Sequence, residues 1–229
     1  MTKIIAAKNG TKKEVITQKA STLFRQKGFT ATSMRDIAEV IGVEAPSLYN
    51  HIESKHEILK DICFRVARLF TSHLREVEIS NKSYLSKIES IIRFHISMMI
   101  DEYEIVYISD HEWKYLPEPF LSDFKNQRRN YRSRLAALLQ KGIAHKEIST
   151  INPYVAVLTI LSAISGIESW HRSGKKIDAA ILEENMVHIL IEGLKSPART
   201  KDKNEKLLKK NADKSKIIKT ASGKTIQNK

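Results

Sequence analysis

The segment Glu44-Ala45-Pro46-Ser47 places a carboxylate, two apolar side chains and a hydroxyl at the start of a predicted short helix. If such a helix entered the major groove of DNA, its first residues would meet the base edges. Ala45 and Pro46 could offer only apolar contact, for example to a thymine methyl group, whereas Ser47 could hydrogen-bond almost any base. Glu44 could accept a hydrogen bond from a cytosine amine or cap the helix, and we favour the cap.

Three neighbouring residues fit the steric requirements of a helix-turn-helix over residues 34–52. Ala38 is small where two helices must approach closely, and Gly42 stands where the turn needs a positive φ. Leu48 is apolar where the second helix faces the core. Ser33 is a predicted N-cap of the first helix, with an acidic residue in its first turn. Together these features predict a DNA-binding helix pair.

Helices on both sides are predicted to support this pair. Apolar residues recur at helical spacing from Lys12 to Lys27, and Gly28 ends the pattern as a C-cap glycine would. Ser54 is the predicted cap of a long helix that runs from about Lys55 to about Glu78. The helix pair and its supports therefore form one predicted DNA-binding domain over residues 12–60.

This domain resembles the tetracycline-repressor (TetR) family. The resemblance is carried by Gly28–Ala38 (GFTATSMRDIA), Ile41-Gly42-Val43, Ser47–Ile52 (SLYNHI) and Ser54-Lys55. It implies a helix-turn-helix DNA-binding domain, followed by a divergent helical domain for ligand binding and dimerisation. Repression is the usual mode of action in this family.

The resemblance also implies roles for individual residues. Tyr49 and His51 would touch phosphates, and Lys55 would meet the DNA backbone from the start of the long helix. Thr32 and Ser33 would cap the first helix beside a phosphate, with Arg35 close by. These residue types at helix N-termini suit phosphate binding. The alternative is that Tyr49 and His51 only pack. The predicted DNA-binding residues are Thr32, Ser33, Arg35, Ala45, Pro46, Ser47, Tyr49, Asn50, His51 and Lys55.

Pro46 and Glu44 are departures from the family pattern, in which a small residue and a Ser or Thr are commoner. They leave the predicted fold unchanged but leave the base contacts open. Arg35, DNA shape or the basic C-terminal tail could therefore contribute more to operator choice than Ala45-Pro46-Ser47.

The net charge of +13 is concentrated at the two ends of the chain. Residues 1–60 carry +4, residues 61–194 carry zero and residues 195–229 carry +9. This distribution suggests that the ends meet a polyanion while the neutral middle does something else. A solvated tail is the alternative for the last segment. We predict a disordered N-terminus over residues 1–11 and a basic disordered tail over 196–229.

Residues 61–195 are predicted to form a helical bundle for ligand binding and dimerisation, which makes the fold class all-α. Ser83 is the predicted cap of a helix through Met99, and a shorter helix covers Tyr103–Lys114. Two prolines in Leu116–Pro119 force a break. The helices predicted after it are about Glu118 to Lys141, stopped by Gly142, then Pro153–His171 and Ile177–Leu194. The apolar surface of the last two predicts a homodimer through a four-helix bundle.

Aromatic and methionine side chains gather at predicted helix ends in this domain, as they do around an apolar cavity. The stretch from Leu116 through Arg128-Arg129-Asn130-Tyr131 to Gly142, with Trp170-His171-Arg172, is similar to TetR-family regulators that respond to acyl-coenzyme A. Arginines at a cavity mouth would suit coenzyme phosphates. Ordinary core packing and a solvated basic face are the alternatives. The predicted ligand-binding residues are His95, Met99, Trp113, Phe124, Arg128, Tyr131 and Trp170.

Other classes of protein fit the sequence less well. The eight histidines and one cysteine offer no zinc spacing, no phosphate loop and no catalytic triad, so we expect no enzyme, no cofactor and no metal. A non-sensing architectural DNA-binding protein is the main alternative, although it would not need the neutral helical region. The single cysteine, the lack of a secretory signal and of an apolar run near 18 residues favour a cytoplasmic protein without a membrane partner.

Overall fold

The computed structural model describes residues 11–174 and 176–196, and its regular elements confirm the all-α fold. The predicted disordered N-terminus and basic tail lie outside the described residues, apart from Thr11, which caps the first helix, and Ser196. The helices are α1 Lys12–Lys27, α2 Met34–Ile41, α3 Ala45–Leu48, α4 Lys55–Ile79, α5 Tyr84–Asp101, α6 Tyr103–His111, α7 Phe120–Ala144, α8 Pro153–Ser165, α9 Ile167–Arg172 and α10 Ala179–Leu194, with a 3₁₀ turn at Trp113–Tyr115.

Local capping fixes both ends of α2. The Ser33 hydroxyl accepts a hydrogen bond from the Asp36 backbone N–H at 3.1 Å, and the Asp36 carboxylate accepts one from the Ser33 N–H at 2.7 Å. Gly42 ends the helix with φ +80°, in the left-handed region that favours glycine. Both predicted signals are therefore confirmed, and they set the direction in which the chain enters α3.

The first four helices share one buried core. Phe24 of α1, Ile37 of α2, Leu48 of α3 and Ile58 of α4 are all fully buried. Burying a side chain of this size stabilises a fold by about 1.5–3 kcal/mol relative to leaving it exposed. Leu48 alone anchors the four-residue helix α3 in this way, so the short helix depends on its neighbours for its position.

The predicted stop at Gly142 is wrong, because α7 continues through that residue to Ala144. Gly142 is buried, and a Cβ atom built on it would lie 2.5 Å from Ile148 Cδ1 and 3.1 Å from Tyr84 Cβ. The glycine thus permits a close approach of two neighbouring segments. Ile148 is itself buried and pairs with Lys195 in an isolated antiparallel bridge.

The single predicted helix over Pro153–His171 is divided at Gly166 into α8 and α9. The helix α8 begins at Pro153 as predicted, and the Asn152 side-chain oxygen caps it by accepting a hydrogen bond from the Tyr154 N–H at 2.9 Å. The last helix starts later than predicted, because the Asp178 carboxylate caps α10 at Ala179.

The stretch Pro153–Arg172 is long and apolar enough to cross a membrane, although the sequence was expected to hold no such run. One such segment is weak evidence of a membrane span, because core helices of soluble proteins meet the same criterion. A third of its most apolar window is buried within the chain, which leaves much of α8 exposed.

Candidate functional site: the helix-turn-helix surface and a cavity in the second domain

Nine of the ten predicted DNA-binding residues are at least partly exposed to solvent. Ser33, Arg35, Pro46, Tyr49 and Asn50 are exposed, with 53% of Tyr49 accessible. Ala45, Ser47 and His51 are half-buried. Packing within the chain therefore covers less than half of the Tyr49 surface.

Thr32 differs from the other predicted DNA-binding residues because its side chain is buried. Only 1% of Thr32 is exposed, and its hydroxyl donates to the Gly28 carbonyl oxygen at 2.8 Å. The expectation that Thr32 helps to cap α2 is wrong, because Ser33 caps that helix alone. The Ser33 hydroxyl, followed by the Lys27 ammonium, also holds the pKa of Asp36 below its ordinary value. This keeps the capping carboxylate ionised.

Lys55, the first residue of α4, binds the loop that precedes α2. Its ammonium donates to the carbonyl oxygens of Phe29 at 2.8 Å, Thr30 at 3.2 Å and Thr32 at 2.9 Å. It also lies 4.6 Å from the centroid of the Phe29 ring. An ammonium group has three donors, and all three are used here. The predicted phosphate contact of Lys55 would therefore cost one of these bonds.

A cavity of about 320 Å³ lies among helices α4 to α9. Five of the seven predicted ligand-binding residues line it: His95, Met99, Phe124, Arg128 and Tyr131. Sequence reasoning missed Phe70 and Thr71 of α4, Ser109 of α6 and Glu168 of α9, which also line the cavity. The signal for the α4 residues was their place on the inward stripe of a long amphipathic helix, which alone does not separate a cavity wall from solid core.

The two predicted tryptophans are not among the cavity-lining residues. Trp170 is buried and its indole N–H donates to the Ile177 carbonyl oxygen at 2.8 Å, which ties α9 to the segment before α10. Trp113 lies behind the wall, with its ring 6.4 Å from that of Phe124 and 5.8 Å from the Arg128 guanidinium. Trp113 therefore packs against the cavity wall from outside, whereas Trp170 joins α9 to the segment before α10.

A hydrogen-bonded pair of polar side chains, His95 and Tyr131, lies among the residues that line the cavity. His95 Nε2 and the Tyr131 hydroxyl oxygen are 2.7 Å apart, and the His95 ring stacks on Phe70 at 4.2 Å. Burial, with a smaller contribution from His73, lowers the pKa of His95 to about 3. Burial likewise raises the pKa of the Tyr131 hydroxyl. Both side chains are therefore neutral near pH 7.

Charged side chains lie at the mouth of the cavity. Arg128 donates to the Asp110 carboxylate at 2.9 Å. Arg132, one turn further along α7, is exposed and takes part in no ion pair among residues 11–174 and 176–196. The lining thus offers the Arg128 guanidinium, which is paired with Asp110, and the Arg132 guanidinium, which is available, together with the partly buried Glu168 carboxylate beside His111.

Helix α6 touches both the cavity and the DNA-binding domain. Near its C-terminus, His111 Nε2 lies 3.3 Å from the Glu168 carboxylate, and both residues line the cavity. Near its N-terminus, Glu104 accepts a hydrogen bond from Arg25 of α1 at 2.6 Å. The two ends of α6 therefore contact the cavity and, through the Arg25–Glu104 hydrogen bond, helix α1.

Two family models match the chain over most of the described residues. Residues 16–62 match "Bacterial regulatory proteins, tetR family", and residues 81–194 match "Tetracyclin repressor-like, C-terminal domain". The HTH-type transcriptional repressor KstR2 of Rhodococcus jostii is 24% identical over 197 residues, covering 84% of this chain and 95% of the relative. Its counterpart from Mycolicibacterium smegmatis is 22% identical, with coverages of 80% and 90%.

Solved structures share the fold. The ketosteroid transcriptional regulator KstR2 of Mycobacterium tuberculosis superposes with a TM-score of 0.76 at 19% identity, over 84% of this chain and 99% of that one. AibR, solved with isovaleryl coenzyme A and operator DNA, superposes with a TM-score of 0.69 at 21% identity, over 78% and 97%. Together with the two matching domains and the helix-turn-helix geometry, these findings establish that the chain belongs to the TetR family of bacterial transcription regulators.

Proposed function

We propose that this protein is a ligand-responsive transcriptional repressor that binds a palindromic operator as a homodimer and is released by a small effector of the acyl-coenzyme A class. The observation that carries the proposal is the connection of a DNA-reading surface to an internal cavity through one helix. Helix α6 lines the cavity with Ser109 and is bonded to α1 through Glu104 and Arg25. Occupying the cavity can therefore change the position of the DNA-binding domain.

The DNA contacts are proposed to come from the outward surface of α2 and α3. Arg35 and Tyr49 are exposed, and Ser33 lies at a helix N-terminus, where backbone N–H groups favour a phosphate. Ala45, Pro46 and Ser47 offer few direct base contacts, so sequence preference is expected to depend partly on DNA shape.

The dimer is proposed to form through the exposed apolar surfaces of α8 and α10. Tyr154, Val155 and Leu158 on α8 and Ile181 and Ile189 on α10 are between 57% and 69% exposed. Covering such a surface with a second copy removes apolar area from water, and a two-fold axis makes the contact self-complementary. Two recognition helices would then meet successive major grooves about 34–36 Å apart.

The effector class is supported by the distribution of charge in the cavity. The apolar part of the lining, which includes Phe70, Met99 and Leu161, suits an acyl group, while Arg128 and Arg132 suit the phosphates of coenzyme A. AibR, which shares the fold, was solved with an acyl-coenzyme A and operator DNA. Arg132 has the larger expected role, because the Arg128 guanidinium is already paired with Asp110.

The proposal is tested by selecting DNA fragments that bind the full-length protein and then measuring their release by a panel of acyl-coenzyme A thioesters. We expect Arg35→Ala to weaken operator binding and Arg132→Ala to weaken release. Arg129→Ala is the matched control, since Arg129 is exposed and is not among the cavity-lining residues. A protein that selects no fragment, or an operator complex that no thioester dissociates, would contradict the proposal.

A further inference from the structure

The His95–Tyr131 pair leaves hydrogen-bonding capacity unused inside the cavity. His95 is 9% exposed, and its Nδ1 atom has no hydrogen-bond partner among the described residues. The Tyr131 hydroxyl is bonded only to His95 within the same part of the chain. The other buried polar side chain on the wall, Ser109, carries a single hydroxyl next to the buried thiol of Cys63. The pair is therefore the interior group best able to bind a polar atom of a ligand.

The number of protons on the pair determines whether the ligand atom that binds there must be a hydrogen-bond donor or an acceptor. A neutral imidazole carries one N–H, and a phenol carries one O–H, so the pair holds two protons. One proton lies in the bond between His95 Nε2 and the Tyr131 oxygen. If the tyrosine donates in that bond, the free donor is His95 Nδ1–H. If the histidine donates, the free donor is the Tyr131 hydroxyl. Either tautomer leaves one free donor, so the conclusion is independent of the tautomer.

The charges of the cavity-lining residues favour a neutral acceptor over a negatively charged one. The pair is neutral, and the guanidinium of Arg128 is engaged at the mouth by Asp110. A ligand carboxylate bound beside this pair would lose hydration without a free cation facing it and would share the cavity with the Glu168 carboxylate, which is costly. A carbonyl oxygen loses much less hydration free energy on burial and needs only one hydrogen-bond donor.

We propose that the pair formed by His95 and Tyr131 is the specificity-determining site of the cavity and binds a carbonyl oxygen of the effector. The inference rests on the proposed function, since it names the group that the acyl part of the effector presents. Two sources can supply such an oxygen: a keto group on the acyl chain or the thioester carbonyl itself. A site that must satisfy a buried donor rejects the analogue that lacks the acceptor.

The test uses three coenzyme A conjugates with the same five-carbon skeleton and the full-length protein. Levulinoyl-coenzyme A carries a keto group and a thioester carbonyl, valeryl-coenzyme A carries only the thioester carbonyl, and the thioether pentyl-coenzyme A carries neither. Direct binding is measured by calorimetry in the absence of DNA, so operator recognition does not enter the result. A preference of about tenfold corresponds to one well-placed hydrogen bond.

We expect a step of about tenfold in affinity on adding one of the two carbonyls. Tighter binding of levulinoyl- than of valeryl-coenzyme A would identify the keto oxygen as the bound acceptor. Tighter binding of valeryl- than of pentyl-coenzyme A would identify the thioester carbonyl. The step should shrink in Tyr131→Phe, where His95 can still donate, and vanish in the double variant His95→Leu with Tyr131→Phe. Ser109→Ala is the matched control, because it removes a different polar group from the same wall and should keep the step.

Equal binding of all three conjugates, or a step that survives the double variant, overturns the inference while leaving the effector class intact. Binding of none of them overturns the inference and the effector class together, whereas selection of an operator still tests the DNA-binding part separately. If the double variant does not fold, nitrogen NMR of His95 in the unaltered protein replaces it. The ring signals should move with the preferred carbonyl conjugate and not with the thioether, and unchanged signals overturn the inference.

Discussion

At the scale of single residues, the structure gives Lys55 the role of holding the loop before α2 in position. The family resemblance implies a lysine that meets the DNA backbone, whereas the ammonium group is fully engaged by three carbonyl oxygens of the loop before α2. That loop carries Ser33, which caps α2. The lysine therefore determines where the N-terminus of α2 lies, and through it where a phosphate can bind.

Replacing Lys55 with alanine is expected to lower the free energy of unfolding by roughly 1–3 kcal/mol, because charge-assisted hydrogen bonds to three carbonyls are lost. Operator affinity should fall as well, since α2 loses its fixed start. Urea unfolding followed by circular dichroism measures the first effect. Lys60→Ala is the control, since the Lys60 ammonium lies 5.1 Å from the Phe120 ring and makes no hydrogen bond among the described residues. A variant with unchanged stability but weaker DNA binding would mean that Lys55 serves the phosphate alone.

His95 makes stability depend on pH in a defined direction. Its pKa is lowered to about 3 in the folded protein, from an ordinary value of 6.5, because burial disfavours the charged ring. Between these values the unfolded chain binds a proton that the folded chain does not, so acid favours unfolding. The contribution of His95 is complete above pH 6.5 and is lost as the pH falls toward 3.

The expected loss is about 1.4 kcal/mol for each pH unit within that window. Urea unfolding of the unaltered protein and of His95→Leu, repeated at several pH values from about 4.5 to about 6.5, measures the two slopes. The variant should have the shallower slope, although its stability at neutral pH is lower because the Phe70 contact is lost. Equal slopes of unfolding free energy against pH in the two proteins would show that the His95 ring is solvated.

At the scale of elements, helix ends that depend on local capping could be predicted from the sequence better than those that depend on tertiary contacts. Ser33, Ser54 and Ser83 cap helices as expected, because the capping hydroxyl bonds an N–H only three residues away. Gly142 was misjudged because its role depends on Ile148 approaching α7, which is a tertiary contact. For the same reason the cavity-facing residues of α4 could not be distinguished from ordinary core.

Gly142 provides a prediction about α7. Alanine favours a helix by roughly 0.8–1 kcal/mol over glycine, yet its Cβ would lie 2.5 Å from Ile148 Cδ1 and 2.9 Å from Ile148 Cγ1. We expect Gly142→Ala to destabilise the protein by roughly 1–3 kcal/mol because the buried contact is overpacked. Thermal unfolding measures the change.

The matched control lies on α10, where a Cβ atom built on Gly193 meets nothing within 4 Å. Gly193→Ala should be neutral or stabilise the protein by up to about 1 kcal/mol. If both substitutions stabilise the protein, the close approach of Ile148 to α7 is not maintained in solution.

At the scale of the whole molecule, the described helices carry three features: the helix-turn-helix surface proposed to contact DNA, a cavity and an exposed apolar surface. The cavity is connected to the DNA-binding domain by α4, which begins in that domain and lines the cavity, and by α6, which lines the cavity and contacts α1. The apolar surface on α8 and α10 is left uncovered by this arrangement. A dimer would cover it and would fix the spacing of two DNA-reading surfaces.

Leu158→Glu tests this arrangement directly. Leu158 is 66% exposed in the isolated chain, so the substitution leaves the fold of one copy intact but would bury a carboxylate in the proposed interface. We expect light scattering to change from a dimer to a monomer, and affinity for a palindromic operator to fall by at least about tenfold because avidity between half-sites is lost. Affinity for a single half-site should be kept, which separates lost dimerisation from a damaged DNA-binding domain. Ile79→Glu is the control, since Ile79 is 79% exposed at the end of α4, a helix that is not part of the proposed interface. A dimeric Leu158→Glu protein would mean that another surface joins the two copies, and a monomeric Ile79→Glu protein would point to the end of α4 as that surface.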